Sequence, residues 1–179
     1  GKARFLVEVR QKMTLYDSAL YCKEVQEVAD LPIEWGKLQN KAVLISGATG
    51  MIGSFLTDVL LHKWEALHCR VIALGRDFKK AQDRFGAWLD GDRLKFYSCD
   101  VCQGVGISEE VDFVLHLASN THPLAYAKAP VETILTNIAG TKNLLDYACS
   151  GHITRFIFAS TVEIYGENRG DVEQFDEQY

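Results

Sequence analysis

Residues 42–62 read AVLISGATGMIGSFLTDVLLH, and the order of residue types in this stretch decides the fold. AVLIS (42–46) is a short apolar run of β-type residues, as expected of a strand buried on both faces. It meets GATGMIG (47–53), three glycines in seven residues. Beyond it Ile52, Phe55, Leu56, Val59 and Leu60 recur at helical spacing and predict a helix over 51–63. In a turn of this kind Gly47 permits the sharp reversal, Gly50 lets the backbone approach a pyrophosphate, and Gly53 allows close packing of helix on strand. The phosphates would then meet the unsatisfied N–H groups that open the helix, which brings Thr49, Met51 and Ile52 into the same site. The spacing is GxxGxxG rather than GxGxxG, so the flanking strand and helix carry the reading.

Working outward, further strands are expected at RVIAL (70–74), LKFYS (94–98), VDFVLHLAS (111–119) and RFIFAS (155–160). Between the last two lies a helix in which Pro130 suits the first position and Gly151 the stop. Its buried face is expected to hold Ile134, Ile138, Leu145 and Ala148. Apolar strands joined by helical segments predict an α/β fold, a Rossmann-like doubly wound parallel sheet with helices on both faces, ending after about the fifth strand. Upstream, Leu15, Ala19, Cys22, Val25 and Ala29 mark an amphipathic helix over 14–30, with Thr14 and Asp17 as a capping pair. Pro32 and Gly36 then punctuate the chain. Residues 1–40 therefore read as an N-terminal helical extension that covers a sheet edge or subunit surface, and residues 41–179 as the dinucleotide-binding domain.

Composition agrees with a folded domain. Of 179 residues, 47% are hydrophobic and 24% charged, with 14 glycines and 3 prolines, which excludes disordered and collagen-like architectures. The formal charge of −5 is concentrated near the end, where Glu167, Asp171, Glu173, Asp176 and Glu177 face Arg169 alone. The opening residues are mildly basic (Lys2, Arg4, Arg10 and Lys12 against Glu8), too weakly to suggest a nucleic-acid arm. No apolar run reaches the roughly 18 residues of a membrane span, and no secretory signal pattern is present. Five cysteines without scaffold spacing fit a reducing cytoplasm. Cys99 and Cys102 form a CxxC, but without a second pair or nearby histidines no metal site is expected. Gly1 is compatible with a cleavage scar and Met13 with a start codon.

The acid that binds the adenosine ribose is expected about 20 residues beyond the glycines. Gly75 stands there, followed by Arg76 and Asp77. Arginine binds a 2′-phosphate through charge-assisted hydrogen bonds, so the cofactor reads as NAD or NADP with a lean to NADP, and Asp77 keeps NAD open.

With these residues in hand, the chain from about residue 40 resembles the extended short-chain dehydrogenases, the NAD-dependent epimerase/dehydratase family acting on nucleotide sugars. GATGMIG, CDV (99–101) with Asp100, HLAS (116–119), TNIAGTKNLL (136–145) and STVEIYG (160–166) occur in that family's order. The resemblance implies that Asp100 and Val101 contact adenine, that Leu117, Ala118 and Ser119 line the diphosphate and ribose, and that Asn137 braces the site. His116 reads as a satisfied core histidine. It further implies a nucleotide-sugar substrate, a homodimer built through helices of the cofactor domain, and no nucleic-acid or membrane partner.

By the same resemblance Thr161 holds the sugar hydroxyl that is oxidised, and Glu163 matches the acid of nucleotide-sugar 4,6-dehydratases, found also in UDP-glucuronate decarboxylases. Oxidation at sugar carbon 4 makes a ketone that acidifies the neighbouring C–H, which a positioned base can remove. The parent is expected to be a dTDP-glucose 4,6-dehydratase-like lyase, with a UDP-glucuronate decarboxylase or 4-epimerase as alternatives. Val162 stands where dehydratases carry the aspartate that protonates the leaving hydroxyl, and decarboxylation needs no such donor. The decarboxylases usually place a small hydroxyl residue there, while HLASNTHPLAYAKAPVETILTNIAGT (116–141) looks more like their segment. The family's YxxxK pair does not occur after Tyr147, Tyr165 or Tyr179, so this stretch is expected to be the cofactor-binding part of a longer enzyme and inactive alone. A non-catalytic dinucleotide-binding or regulatory module is the competing reading.

Overall fold

The computed structural model describes residues 14–89, 91–119, 127–167, 169–170 and 172–177. The basic opening segment, Asp171, Tyr179 and the 120–126 part of the decarboxylase-like segment lie outside the described residues.

Five strands, β1 (Ala42–Ser46), β2 (Arg70–Gly75), β3 (Leu94–Ser98), β4 (Phe113–His116) and β5 (Arg155–Phe158), form one sheet in the order β3-β2-β1-β4-β5. Every pairing is parallel. Helices α2 (Met51–His62), a short α3 (Trp64–Leu67) and α4 (Phe78–Phe85) connect β1 to β3, and α5 (Pro130–Ser150) connects β4 to β5.

Alternation along the strands builds two cores. Val43, Ile45, Val71, Ala73, Leu94 and Phe96 pack with Leu60 and Leu61 of α2 and Ala81 and Phe85 of α4. On the opposite face Leu44, Ile72, Leu74 and Val114 meet Leu144 of α5 and Val101. The sheet is therefore doubly wound, as the apolar strands predict. Each fully buried Leu, Ile or Phe contributes about 1.5–3 kcal/mol. Central β1 is buried at all five positions, whereas edge strand β5 leaves Arg155, Ile157 and Phe158 exposed.

Two expectations about helix faces are corrected. Helix α5 turns Thr133, Gly140 and Leu144 to the sheet, while Ile134, Ile138 and Leu145 are exposed. The reason is close approach: a Cβ on Gly140 would lie 2.7 Å from Val101 Cγ2, so only this face lets the helix settle on the 101–103 turn. In the N-terminal helix α1 (Ala19–Ala29) Val25 and Ala29 are buried against Val59 of α2, with Tyr21 beside them, while Leu15, Ala19 and Cys22 are exposed. Its cap is Ser18, whose Oγ accepts from the Tyr21 N–H at 3.3 Å. Thr14 and Asp17 instead bracket the single 3-10 turn that precedes it. Helix α2 buries Val59, Leu60 and Leu61 together with Thr57 and Asp58, and leaves Ile52 exposed.

The amino ends of the strands are sealed by charge. Asp112 accepts from Lys41 Nζ at 2.7 Å and from the Ala42 N–H at 2.8 Å, and Glu109 accepts from Lys95 Nζ at 2.8 Å and the Tyr97 hydroxyl at 2.9 Å. The glycine turn lies at the other end of the sheet.

Candidate functional site

Strand register gathers the chemistry-bearing residues. Tyr97, Leu74, Ser46, His116 and Phe158 pair in one row across the sheet, so Ser98, Gly75, Gly47, Leu117 and Ala159 all step out of it together at the carboxyl ends. Backbone bonds sew these exits to one another. Ala48 N–H donates to Leu74 O at 3.2 Å, Cys99 to Gly75 at 2.9 Å, Leu117 to Ser46 at 3.2 Å and Ala159 to His116 at 3.1 Å. Strand order reverses between β1 and β4, which in open α/β sheets opens the crevice where ligands bind.

The glycine turn at that crevice has the shape of a phosphate cradle. Gly47 has φ +70°, and a Cβ there would lie 2.9 Å from Ala118 N and from the Leu117 carbonyl carbon and oxygen. A Cβ on Gly53 would press into the Gly47 carbonyl and come within 2.9 Å of Ala48 Cα. Neither position tolerates a side chain. Gly50 caps α2, and the first intrahelical bond is Ser54 N–H to Gly50 O at 2.9 Å. The first-turn N–H groups, Met51 and Ile52 among them, have no acceptor within the helix and point along its axis into the crevice mouth. Met51 is 88% exposed, so the backbone at the helix start is open to an anion. These residues fit a dinucleotide diphosphate.

The other candidate residues lie on segments that leave the same end of the sheet. Asp100 caps the 101–103 turn by accepting the Cys102 N–H at 3.0 Å, and the Val101 carbonyl accepts from Asn143 Nδ2 at 2.8 Å. Ser119 Oγ donates to Asn137 Oδ1 at 2.8 Å, which ties the segment after β4 to α5. Thr49 lies beside Gly75, where a Cβ would sit 3.6 Å from the Thr49 hydroxyl and 3.2 Å from the Phe96 ring, leaving little room for an acidic side chain. Arg76 is exposed at this corner, and Asp77 is engaged as the N-cap of α4, accepting the Lys80 N–H at 3.0 Å.

Thr161 and Glu163 lie beyond β5 at the same sheet end. Thr161 caps the 3-10 turn Val162–Tyr165 by accepting the Glu163 N–H at 3.3 Å, and both side chains are exposed. Val162 is 75% exposed. Tyr165 stacks on Phe175 with ring centroids 5.0 Å apart. The Cys99 and Cys102 thiols donate to the Gly104 and Thr136 carbonyls, and burial pushes both thiols up. Among the described residues no cluster of three metal-ligating side chains occurs, and no helix is long and apolar enough to cross a membrane.

His116 is buried with both ring nitrogens hydrogen-bonded, as expected of a satisfied core histidine; what sequence reasoning missed is the pair of partners, Ser46 and Thr141, that make it part of a buried polar chain at the base of the crevice. Ser46 Oγ lies 2.7 Å from His116 Nδ1, and His116 Nε2 lies 3.0 Å from Thr141 Oγ1. The only local signal is a serine closing an otherwise apolar strand.

A parallel sheet with a glycine turn at its switch point defines a Rossmann-like dinucleotide-binding fold. The profile of the NAD dependent epimerase/dehydratase family matches residues 43–179, and the chain belongs to that family. It is 36% identical over 128 residues to UDP-glucuronic acid decarboxylase 5 of Arabidopsis thaliana, covering 72% of this chain and 36% of that protein. To dTDP-D-glucose 4,6-dehydratase of Dictyostelium discoideum it is 30% identical over 141 residues, covering 75% of this chain and 32% of that protein. The chain thus spans about a third of the length of these curated relatives. Its fold is shared with UDP-glucose-4-epimerase from Stenotrophomonas maltophila, solved with bound NAD and formylated UDP-arabinopyranose. The TM-score is 0.56 at 21% identity, over 72% of this chain and 39% of that one. The cofactor class of the family is the nicotinamide dinucleotide.

Proposed function

We propose that this chain is the cofactor-binding portion of a nucleotide-sugar enzyme that oxidises its substrate at sugar carbon 4, and that the parent activity is decarboxylation of a UDP-glucuronate-type sugar. The observation that carries the reading is the shared exit row, which brings the glycine turn, the Leu117–Ser119 segment and the Thr161 segment to one end of the sheet.

In this reading the start of α2 and the Gly47 turn bind the diphosphate through backbone N–H groups. Asp100 and Val101 bound the adenine, Ser119 and Asn137 hold the ribose side, and Arg76 contacts the adenosine ribose or its 2′-phosphate. The bound dinucleotide supplies a hydride acceptor. Thr161 orients the sugar hydroxyl by hydrogen bonding, and Glu163, two residues on in the turn that Thr161 caps, is the acid–base group. Val162 carries no proton to deliver to a leaving hydroxyl, which favours loss of CO₂ over loss of water. Dehydration of a dTDP-glucose-type substrate is the second reading, favoured by Glu163 and by the Dictyostelium relative. The exposed stripe on α5 supports a homodimer.

The test is to incubate the full-length protein with NAD and either UDP-glucuronate or dTDP-glucose. CO₂ release with a UDP-pentose product supports the decarboxylase. A 4-keto-6-deoxy sugar from dTDP-glucose would transfer the assignment to the dehydratase. Dinucleotide binding with neither product would point to a regulatory module.

A further inference from the structure

The buried Ser46–His116–Thr141 chain has one consistent proton arrangement. Ser46 Oγ accepts from the Ala118 N–H at 3.2 Å and, at 3.1 Å, from the Leu117 N–H, which it shares with the Ser46 carbonyl; both of its lone pairs are thus engaged. Its own proton must go to His116 Nδ1, 2.7 Å away. Nδ1 is therefore unprotonated, and a neutral ring carries its proton on Nε2, donated to Thr141 Oγ1 at 3.0 Å. The ring is 2% exposed. The groups facing it are Ser46 from β1, Thr141 from α5 and the Phe156 and Phe158 rings from β5, none of which titrates.

The two N–H groups held by Ser46 belong to the segment that closes on Gly47, with Ala118 N only 2.9 Å from where a Gly47 Cβ would be. The His116 carbonyl also receives the Ala159 N–H at 3.1 Å, just before the Thr161 segment. We propose that His116, acting through Ser46, is a positioning residue for the cofactor: its Nδ1 orients the Ser46 hydroxyl so that the oxygen receives Leu117 and Ala118 and fixes the β4 exit against the glycine turn. This deepens the dinucleotide-binding reading and rests on it.

Protonation would undo the arrangement. A cationic ring must donate from Nδ1, so Ser46 Oγ would face three donors with two lone pairs and its own proton would lose its acceptor. Burial already lowers the His116 pKa and keeps the ring neutral. Dinucleotide affinity is thus expected to be constant at neutral pH and to weaken as the pH falls below the ordinary histidine range.

The experiment measures NAD and NADP dissociation constants for the full-length protein across pH, beside His116→Leu, which removes the acceptor, and His116→Asn, whose Oδ1 can replace Nδ1. We expect roughly tenfold weaker binding for the Leu variant, as for loss of one buried hydrogen bond. The Asn variant should bind like wild type at neutral pH and lose the acid-side fall. Equal affinity in folded wild type and His116→Leu, or an acid-side fall that persists in His116→Asn, overturns the positioning role while leaving dinucleotide binding intact. If the Leu variant does not fold, the comparison of wild type with His116→Asn decides alone. Wild type that binds neither dinucleotide overturns the underlying reading as well.

Discussion

Tyr16, in the turn before the first helix, donates its hydroxyl at 2.7 Å to Asp58, buried in the middle of α2. Tyr21 donates to the other oxygen of the same carboxylate, and Arg84 of α4 pairs with it while its guanidinium lies over both tyrosine rings. Burial, followed by the Asp58 hydrogen bonds, raises both tyrosine pKa values. The segment before β1 is thereby latched to the helix that opens the glycine turn.

Removing one partner of this buried pair leaves the other charge unpaired. Asp58→Ala and Arg84→Met should each lower unfolding free energy by about 3–5 kcal/mol in urea melts. Tyr16→Phe combined with Tyr21→Phe should cost less globally. It should nevertheless increase amide exchange and proteolysis across residues 14–30, because it releases the latch and leaves the Asp58–Arg84 pair in place.

The glycine turn separates packing from binding. Gly53→Ala forces a methyl into the Gly47 carbonyl and the Ala48 backbone, and overpacking of this kind costs about 1–3 kcal/mol. Its melting temperature should drop even without cofactor. Gly50→Ala meets only the Gly47 oxygen, at 3.1 Å, so its main effect should be weaker NAD binding by calorimetry, with a smaller change in melting temperature.

In the proposed reading, cofactor choice turns on Arg76. Arg76→Ala should weaken NADP by about tenfold or more, as expected for loss of a charge-assisted hydrogen bond, and leave NAD nearly unchanged. Parallel titrations decide the matter, and a wild-type preference for NAD would remove the basis for an arginine–phosphate contact.

Acid stability should follow the seal at the amino ends of the strands. Hydrogen bonds from Lys95 and Tyr97 hold Glu109 below its ordinary range. Burial pushes Asp112 up, but Lys41 and the Ala42 N–H outweigh it and the net shift is downward. A carboxylate with a depressed folded pKa stabilises the protein above its unfolded value, and that stability is lost as the pH falls through the folded value. Urea midpoints should therefore fall below about pH 4. Glu109→Gln should flatten the slope there while lowering stability at neutral pH.

The proposed homodimer would use the exposed face of α5. Ile138 is 64% exposed, beside Ile134 and Leu135. Ile138→Glu should convert a dimer of the full-length protein to monomer in sedimentation experiments without lowering its melting temperature as a core substitution would. An unchanged association state would place the contact elsewhere.

Much of this fold is written in local pattern. The apolar run of β1, the Gly47 turn and the following helix lie within 21 consecutive residues, so sterics and periodicity over that short window are enough to define them. The strands after them are equally local, and the parallel, doubly wound sheet follows because each is largely apolar and joined to the next through a helical segment. The faces of α5 were not legible, because Thr133, Gly140 and Leu144 recur at helical spacing as well as Ile134, Ile138 and Leu145 do. Only the approach of Gly140 to Val101 selects between them. Asp77 looked available to a ribose until α4 claimed it as a cap.

What tertiary structure alone decided are the pairings of residues far apart in the chain. Ser46 and His116 are 70 residues apart, and Tyr16 and Asp58 are 42 apart. A buried hydroxyl, imidazole or carboxylate is set by the partner that satisfies it, and that partner is chosen when strands dock in register and helices cross. The sequence by itself determined a glycine-turn dinucleotide fold and its exit residues. The packed sheet decided which polar groups hold those exits in place.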